Sequence, residues 1–271
     1  MSKPDRFHTA APRWHFLPFL AVIILAGCTT DNADETGKLT GQNGALGPAS
    51  SPYAVLNLNT GSVTLAAVVP DLSDSAFRTS KMVFRRVSKS DGDFFLGVYE
   101  VTQGQWLALA GTQPWASVPN TVVDVAAASV RPAFNISYEN VQSALSSFNA
   151  TYAAKLRVPT TAQWQFASTG GSTGSWSWGN ATDHATLAAN AVVWETHGSS
   201  LGPQTVGSKV ASGYGLFDMH GNVWEWTSPG ISVCGGSWSD SFRLSTLNSS
   251  LKALASTTSH ALVGVRLLLI P

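Results

Sequence analysis

Residues 214–226 read YGLFDMHGNVWEW, a glycine turn at Gly221 running into a short strand. Asp218 and Glu225 bracket that turn. Alternation along the strand sends Trp224 and Trp226 to one face and Val223 and Glu225 to the other, so the indoles can be buried while Glu225 points elsewhere. A carboxylate on each side of a tight turn, with the turn carbonyls between them, is a set of hard oxygen donors suited to Ca²⁺. A solvated turn ahead of a core strand satisfies the same spacing.

On the C-terminal side, residues 233–238 (VCGGSW) and 263–269 (VGVRLLL) read as closing strands, the second nearly all apolar and expected to be central. On the N-terminal side, residues 168–213 are mostly Gly, Ser, Thr, Asn and Ala, punctuated by Trp176, Trp178 and Trp194. A loop that long without secondary structure is unusual inside a domain, which marks it as a functional or metal-held region. Before it, Thr160 caps a helix with Trp164 and Phe166 facing inward. Ser137 or Tyr138 opens another with Val141, Leu145 and Phe148 on its apolar stripe, although Asn140 stands where a Glu would complete a capping box. Thr102 caps a third, ended by Gly111. Strands are expected over 53–58, 62–69, 81–87 and 94–101.

The chain has 271 residues with 16 basic and 16 acidic side chains, and charged residues make up 12%. Without a basic stripe there is no electrostatic footprint for nucleic acid, so that class of partner is excluded. Lys3, Arg6 and Arg13 precede an apolar run of about ten residues, Phe16 to Leu25, too short to span a bilayer and typical of a secretory signal. It ends Leu25-Ala26-Gly27-Cys28, which resembles a bacterial lipobox. Residues 1–27 are thus expected to be a lipoprotein signal peptide, with Cys28 lipidated. Thr29 after that cysteine implies, by resemblance to such lipoproteins, the outer membrane. Loss of Lys3, Asp5, Arg6 and Arg13 leaves 13 basic and 15 acidic residues. Residues 28–52 have almost nothing to bury and read as a flexible tether, leaving 53–271 as the folded domain. With Cys28 acylated, Cys234 is the sole free thiol and no intramolecular disulfide forms.

The ordered set YEVTQGQW (99–106), LRVPTTAQWQFA (156–167), WSWGN (176–180), YGLFDMHGNVWEWT (214–227), CGGSW (234–238) and GVRL (264–267) resembles the sulfatase-modifying factor family, the formylglycine-generating enzyme domain. The resemblance implies an α+β fold related to C-type lectin-like domains, with short strands, little regular secondary structure and bound Ca²⁺. It assigns the ligands of the main calcium site to the side chains of Asp218 and Glu225 and the carbonyls of Gly221 and Val223. A second family site would begin at Asn190 and the Ala191 carbonyl, with no recognisable acidic partner. The copper-dependent oxidases of the family hold their metal on two cysteines between the GGSW segment and the final strand. Here residues 239–263 contain no cysteine, so no copper is expected, and Cys234 lies upstream of that segment. One thiol does not make the two-thiolate site that Cu(I) favours. As a lone strand residue it reads as a small buried hydrophobe. The sulfoxide-synthase branch takes its iron ligands from a helical domain that is absent, and His184, His197, His220 and His260 show no helical ligand spacing.

The reading that results is a lipid-anchored protein of the bacterial cell envelope carrying a non-catalytic, calcium-stabilised binding or scaffold module. The alternative is a periplasmic oxidoreductase of this family with an unrecognised metal site. The expected partners are the membrane, through the anchor, and an extracytoplasmic protein or glycan. The Trp-rich region 168–213 is the candidate surface, with Trp176 and Trp178 reading equally well as core.

Overall fold

The computed structural model describes residues 51–118, 130–198, 202–229, 232–247 and 254–271, and the backbone alone of 250–252. The signal segment, the tether and Cys28 lie outside the described residues. The described residues build two sheets and four α-helices. Strand β1 (Tyr53–Asn57) turns at Gly61 into β2 (Val63–Ala66), and β3 (Lys81–Val87) and β4 (Phe94–Gly97) follow. With β5 (Lys155–Arg157) and the last strand, β10 (Leu268–Ile270), they form a six-stranded sheet in the order β2-β1-β3-β4-β10-β5. Pairing of β1 on β3, Leu56 opposite Met82, covers an edge that β3 would otherwise present. The second sheet, β8-β7-β6-β9, contains the carboxylate turn: β6 (Trp224–Thr227) lies antiparallel to β7 (Ser232–Cys234) and parallel to β9 (Val263–Val265), with β8 (Ser250–Lys252) outside β7.

The helices start where their caps predict. Thr102 and Gln105 close a capping box on α1 (Gln103–Ala110), which stops at left-handed Gly111. Thr160 and Gln163 do the same for α3 (Thr161–Ser168). Trp164 of α3 is fully buried, whereas Phe166 is only half-buried. In α2 (Tyr138–Thr151) the box is complete after all: Asn140 N–H donates to Ser137 Oγ at 3.1 Å and the Asn140 amide oxygen accepts from the Ser137 N–H at 3.3 Å. An amide oxygen substitutes for the expected carboxylate. The long Trp-rich region is not wholly irregular. It holds α4 (His184–Asn190), capped by Asp183, whose carboxylate accepts the Thr186 N–H at 3.0 Å.

The C-terminal run is not one central strand. It is divided between the sheets, β9 pairing with β6 and β10 with β4 and β5, because Arg266 between them turns inward as a brace. Gly264 permits this crossing, since a Cβ there would lie 2.3 Å from the Ala133 carbonyl oxygen. Trp224, Trp226, Phe84, Phe95, Ile136 and Leu156 belong to one buried cluster beneath both sheets. Trp226 meets the Tyr138 ring edge-on and donates its indole N–H to the Ile136 carbonyl at 2.8 Å.

Candidate functional site

The turn before β6 has an uncommon backbone. Asp218, Gly221 and Asn222 have φ of 57°, 97° and 65°, three left-handed residues in five. For Asp and Asn that region is accessible but sparsely used, and such conformations persist only where surrounding bonds hold them. Gly221 is required sterically as well, because a Cβ would meet the Val192 carbonyl oxygen at 2.2 Å. Asn222 is the knot that ties the turn. Its N–H donates to the Val192 carbonyl at 2.7 Å, its carbonyl accepts from Trp238 N–H at 2.9 Å, and its side-chain oxygen accepts from Gln204 N–H at 2.9 Å. Its amide nitrogen donates to Glu100 at 2.9 Å, and the other Glu100 oxygen accepts the Val223 N–H at 3.2 Å.

Both faces of β6 are buried, so Glu225 does not point toward solvent as alternation allowed. Its oxygens take two guanidinium nitrogens of Arg266, at 2.8 Å from Nη2 and 3.0 Å from Nε, and Oε2 also accepts the Trp164 indole N–H at 2.5 Å. Arg266 donates further to the carbonyls of Gly97 at 3.0 Å and Phe217 at 2.8 Å. One guanidinium therefore joins β4, the turn and β6. Burial works against its charge, but Glu225, Glu100 and Asp218 more than offset this and hold its pKa above the ordinary value.

Asp218 is buried, with Oδ2 accepting the Gly207 N–H at 2.6 Å and Oδ1 enclosed without any partner. Burial pushes its pKa up to about 6 against the opposing Gly207 bond and Arg266 charge. Glu100 is pushed well above the usual carboxylate range, first by burial and then by the charges of Asp218 and Glu225. Three buried carboxylates thus face one buried guanidinium, with half-buried Lys209 adding a weaker favourable field at Asp218. Such an interior requires a proton or a cation. A hard cation at Asp218 Oδ1 would supply both the missing partner and the missing charge, and the carbonyls of Gly221 and Val223 lie on the same turn. Glu225 fits less readily, because its oxygens are committed to Arg266 and Trp164. Asn190 is the last residue of α4 and donates its amide N–H back to the Thr186 carbonyl at 2.8 Å, while the Ala191 carbonyl accepts the Thr196 hydroxyl at 2.7 Å. Among the described residues, no three His, Cys, Asp or Glu side chains converge on one metal position.

The segment after the GGSW motif is tied to the opposite side of β6. Asp240 Oδ2 accepts the Trp224 indole N–H at 2.7 Å and the Ser237 hydroxyl. His220 is buried with Nδ1 donating to the Ser245 carbonyl at 2.6 Å and Nε2 accepting the Ser177 N–H at 3.1 Å, an arrangement that needs the neutral ring. Burial accordingly lowers its pKa to about 4. Cys234 is enclosed in β7, and burial followed by the Glu225 charge raises its thiol pKa, so it stays a protonated hydrophobe. Trp176 is 7% exposed, so its core reading holds, and it stacks at 5.8 Å on Trp178, which is only half-buried; Trp194 is 60% exposed.

Two sheets of short strands, four short helices and the carboxylate turn define an α+β domain of the formylglycine-generating-enzyme fold. The chain belongs to the sulfatase-modifying factor enzyme 1-like domain family, which matches residues 81–269. It is 40% identical over 81 residues to the formylglycine-generating enzyme of Mycobacterium tuberculosis, a match covering 27% of this chain and 26% of that enzyme. The chain therefore spans about a quarter of that relative. Over 211 residues it is 26% identical to Chaperone protein LppX of Paenibacillus barcinonensis, covering 62% of this chain and 75% of that one. PvdO from Pseudomonas aeruginosa shares the fold with a TM-score of 0.57 at 18% identity, over 81% of this chain and 92% of its own.

Glu100, Asn222 and Arg266 are the site residues that sequence reading missed. For Glu100 and Arg266 the signal is a lone charged residue inside an otherwise apolar run, since a buried charge needs a buried counterpart; Asn222, in the polar turn DMHGN, carries no such signal.

Proposed function

We propose that this protein is a lipid-anchored, non-catalytic binding or scaffold module of the cell envelope whose folded domain is held together by Ca²⁺. The observation that carries the non-catalytic reading is the content of residues 239–263: the segment that bears the paired cysteines in the family's copper oxidases has none, and Asp240 is bonded into the fold there. Cys234, the nearest thiol in sequence, is buried and protonated. Calcium is supported by the orphaned Asp218 Oδ1 and the excess of buried carboxylates. The envelope role is supported by the lipobox-like LAGC at 25–28 and by likeness to a relative named as a chaperone, which also favours a polypeptide as the bound partner. Among the described residues, no helix is long and apolar enough to cross a membrane. The test combines metal analysis of purified protein with an oxidation assay on a cysteine-containing peptide. Stoichiometric calcium, no copper and no aldehyde product are expected; stoichiometric copper or aldehyde formation overturns the reading.

A further inference from the structure

Strand β2 is an open edge. Among the described residues it pairs with β1 alone, Leu65 opposite Ala54, and no strand lies beyond it in the six-stranded sheet. Asn57 N–H donates to the Ser62 carbonyl at 2.9 Å where this pairing begins. Antiparallel alternation therefore turns the backbone groups of Thr64 and Ala66 toward β1 and those of Val63 and Leu65 out of the sheet. Folded proteins usually protect such an edge with a charge, a proline or a bulge. Here the register runs on without a bulge, residues 53–70 (YAVLNLNTGSVTLAAVVP) hold no charged side chain, and Pro70 comes only after the run ends. Past the strand, Val68 is 73% and Val69 51% exposed. An uncharged, β-branched edge of this kind is a template for another extended chain.

The occupant that fits is β2 of a second copy. It is already extended, so pairing avoids the ordering cost that a foreign peptide would meet. An antiparallel pair about a two-fold axis is self-complementary, and two uncharged edges meet without like-charge repulsion. With the axis at Thr64, Val63 of each copy faces Leu65 of the other, which satisfies the outward backbone groups of both strands. Thr64, whose side chain is exposed, then faces its own counterpart in a non-hydrogen-bonded pair with Cα atoms about 4.5 Å apart, a separation that a disulfide spans. Strands of 4 residues bury much less than the roughly 1,200–2,000 Å² of a stable interface, so pairing between free copies is weak. Residues 28–52 join the fold at Tyr53, opposite Ala66 of the edge strand, and copies anchored through Cys28 in one membrane gain effective concentration.

We propose that β2 pairs antiparallel with β2 of a second copy, continuing the six-stranded sheet across two chains at the membrane surface. Membrane confinement, but not the pairing itself, rests on the lipid-anchored reading. The test treats cell-envelope fractions holding the full chain with diamide, which takes two hydrogens from a pair of thiols and leaves a disulfide. Wild type is the blank, because Cys234 is buried. Thr64→Cys is expected to give a disulfide-linked dimer well above the blank, and Ser146→Cys, exposed on α2, is not. Ser62→Cys and Ala66→Cys, co-expressed in separate copies, should link to each other and neither to itself, since this register sets Ser62 opposite Ala66. Membrane and soluble fractions of the same cells are scored separately, so a soluble chain that still links through Thr64→Cys contradicts the anchor and leaves the pairing standing. The pairing is overturned by no dimer above the blank from Thr64→Cys, by equal linkage through Ser146→Cys, or by Ser62→Cys linking to itself as readily as to Ala66→Cys. A Thr64→Cys disulfide to a different polypeptide in place of the dimer overturns the second copy as occupant.

Discussion

The two faces of the second sheet's hub strand, β6, are built on opposite principles. Toward the six-stranded sheet, Glu225, Arg266, Trp164, Glu100 and Asn222 form a closed network in which charge is buried and almost every polar atom is matched; the exception is Asp218 Oδ1. Toward the 237–245 segment, Trp224 donates to the Asp240 carboxylate, and the Asp240 backbone carbonyl in turn accepts the N–H of Trp194, whose ring is exposed. The first face stabilises and the second remains available.

Breaking the closed face should have the largest effect. Glu225→Gln leaves Arg266 buried without its counter-charge, and a loss of about 3–5 kcal/mol in unfolding free energy is expected by denaturant titration. The double variant Glu225→Gln/Arg266→Met should recover much of that loss, because removing both charges also removes their desolvation cost. A double variant no more stable than the single one would show that hydrogen bonding to Gly97 and Phe217, not charge pairing, is what Arg266 contributes.

The next effect sharpens the exception. Asp218 and Glu100 have folded pKa values above their unfolded ones, so the folded state binds more protons and stability falls as pH rises through the folded values. For Asp218 the window runs from the ordinary carboxylate range near pH 4 to about 6. In chelator, the melting temperature should therefore rise as pH is lowered from 7.5 to 5. Asp218→Asn, a neutral residue that tolerates the left-handed backbone, should stabilise the chelated protein at pH 7 by on the order of 2 kcal/mol. A chelated melting temperature that instead falls steadily below pH 7 contradicts the unbalanced interior.

Smaller effects belong to the outer face and the buried thiol. Cys234→Ala should cost about 1 kcal/mol through lost packing and leave metal content unchanged, as read by calorimetry and elemental analysis. Trp194→Ala should alter stability by no more than about 0.5 kcal/mol, since the ring packs mainly on neighbouring loops. A much larger loss would make Trp194 a structural residue and remove the contrast between the faces.

Local features were legible because they depend on short-range chemistry. Thr102, Ser137 and Thr160 cap helices where a hydroxyl meets an amphipathic run, and β3 occupies the stretch its β-branched and aromatic residues favour. Ordered motifs fixed the family because six of them fall in one sequence. What sequence concealed was non-local. Nothing around Arg266 announces that an apolar run will change sheets to reach Glu225, 41 residues away, and nothing around Glu100 reveals Asn222, 122 residues on. Alternation placed Glu225 on the face opposite the tryptophans without revealing that this face is buried too. The short α4 was hidden by an Ala-rich stretch with little amphipathic pattern.

The central claim, that a divalent cation balances the buried carboxylates, is tested most directly by differential scanning calorimetry at pH 7 with calcium added to chelator-treated protein. The account predicts a calcium-dependent rise in melting temperature for the wild type that is absent in Asp218→Asn. An identical melting temperature with calcium and with chelator, or a calcium response that survives Asp218→Asn, would contradict it.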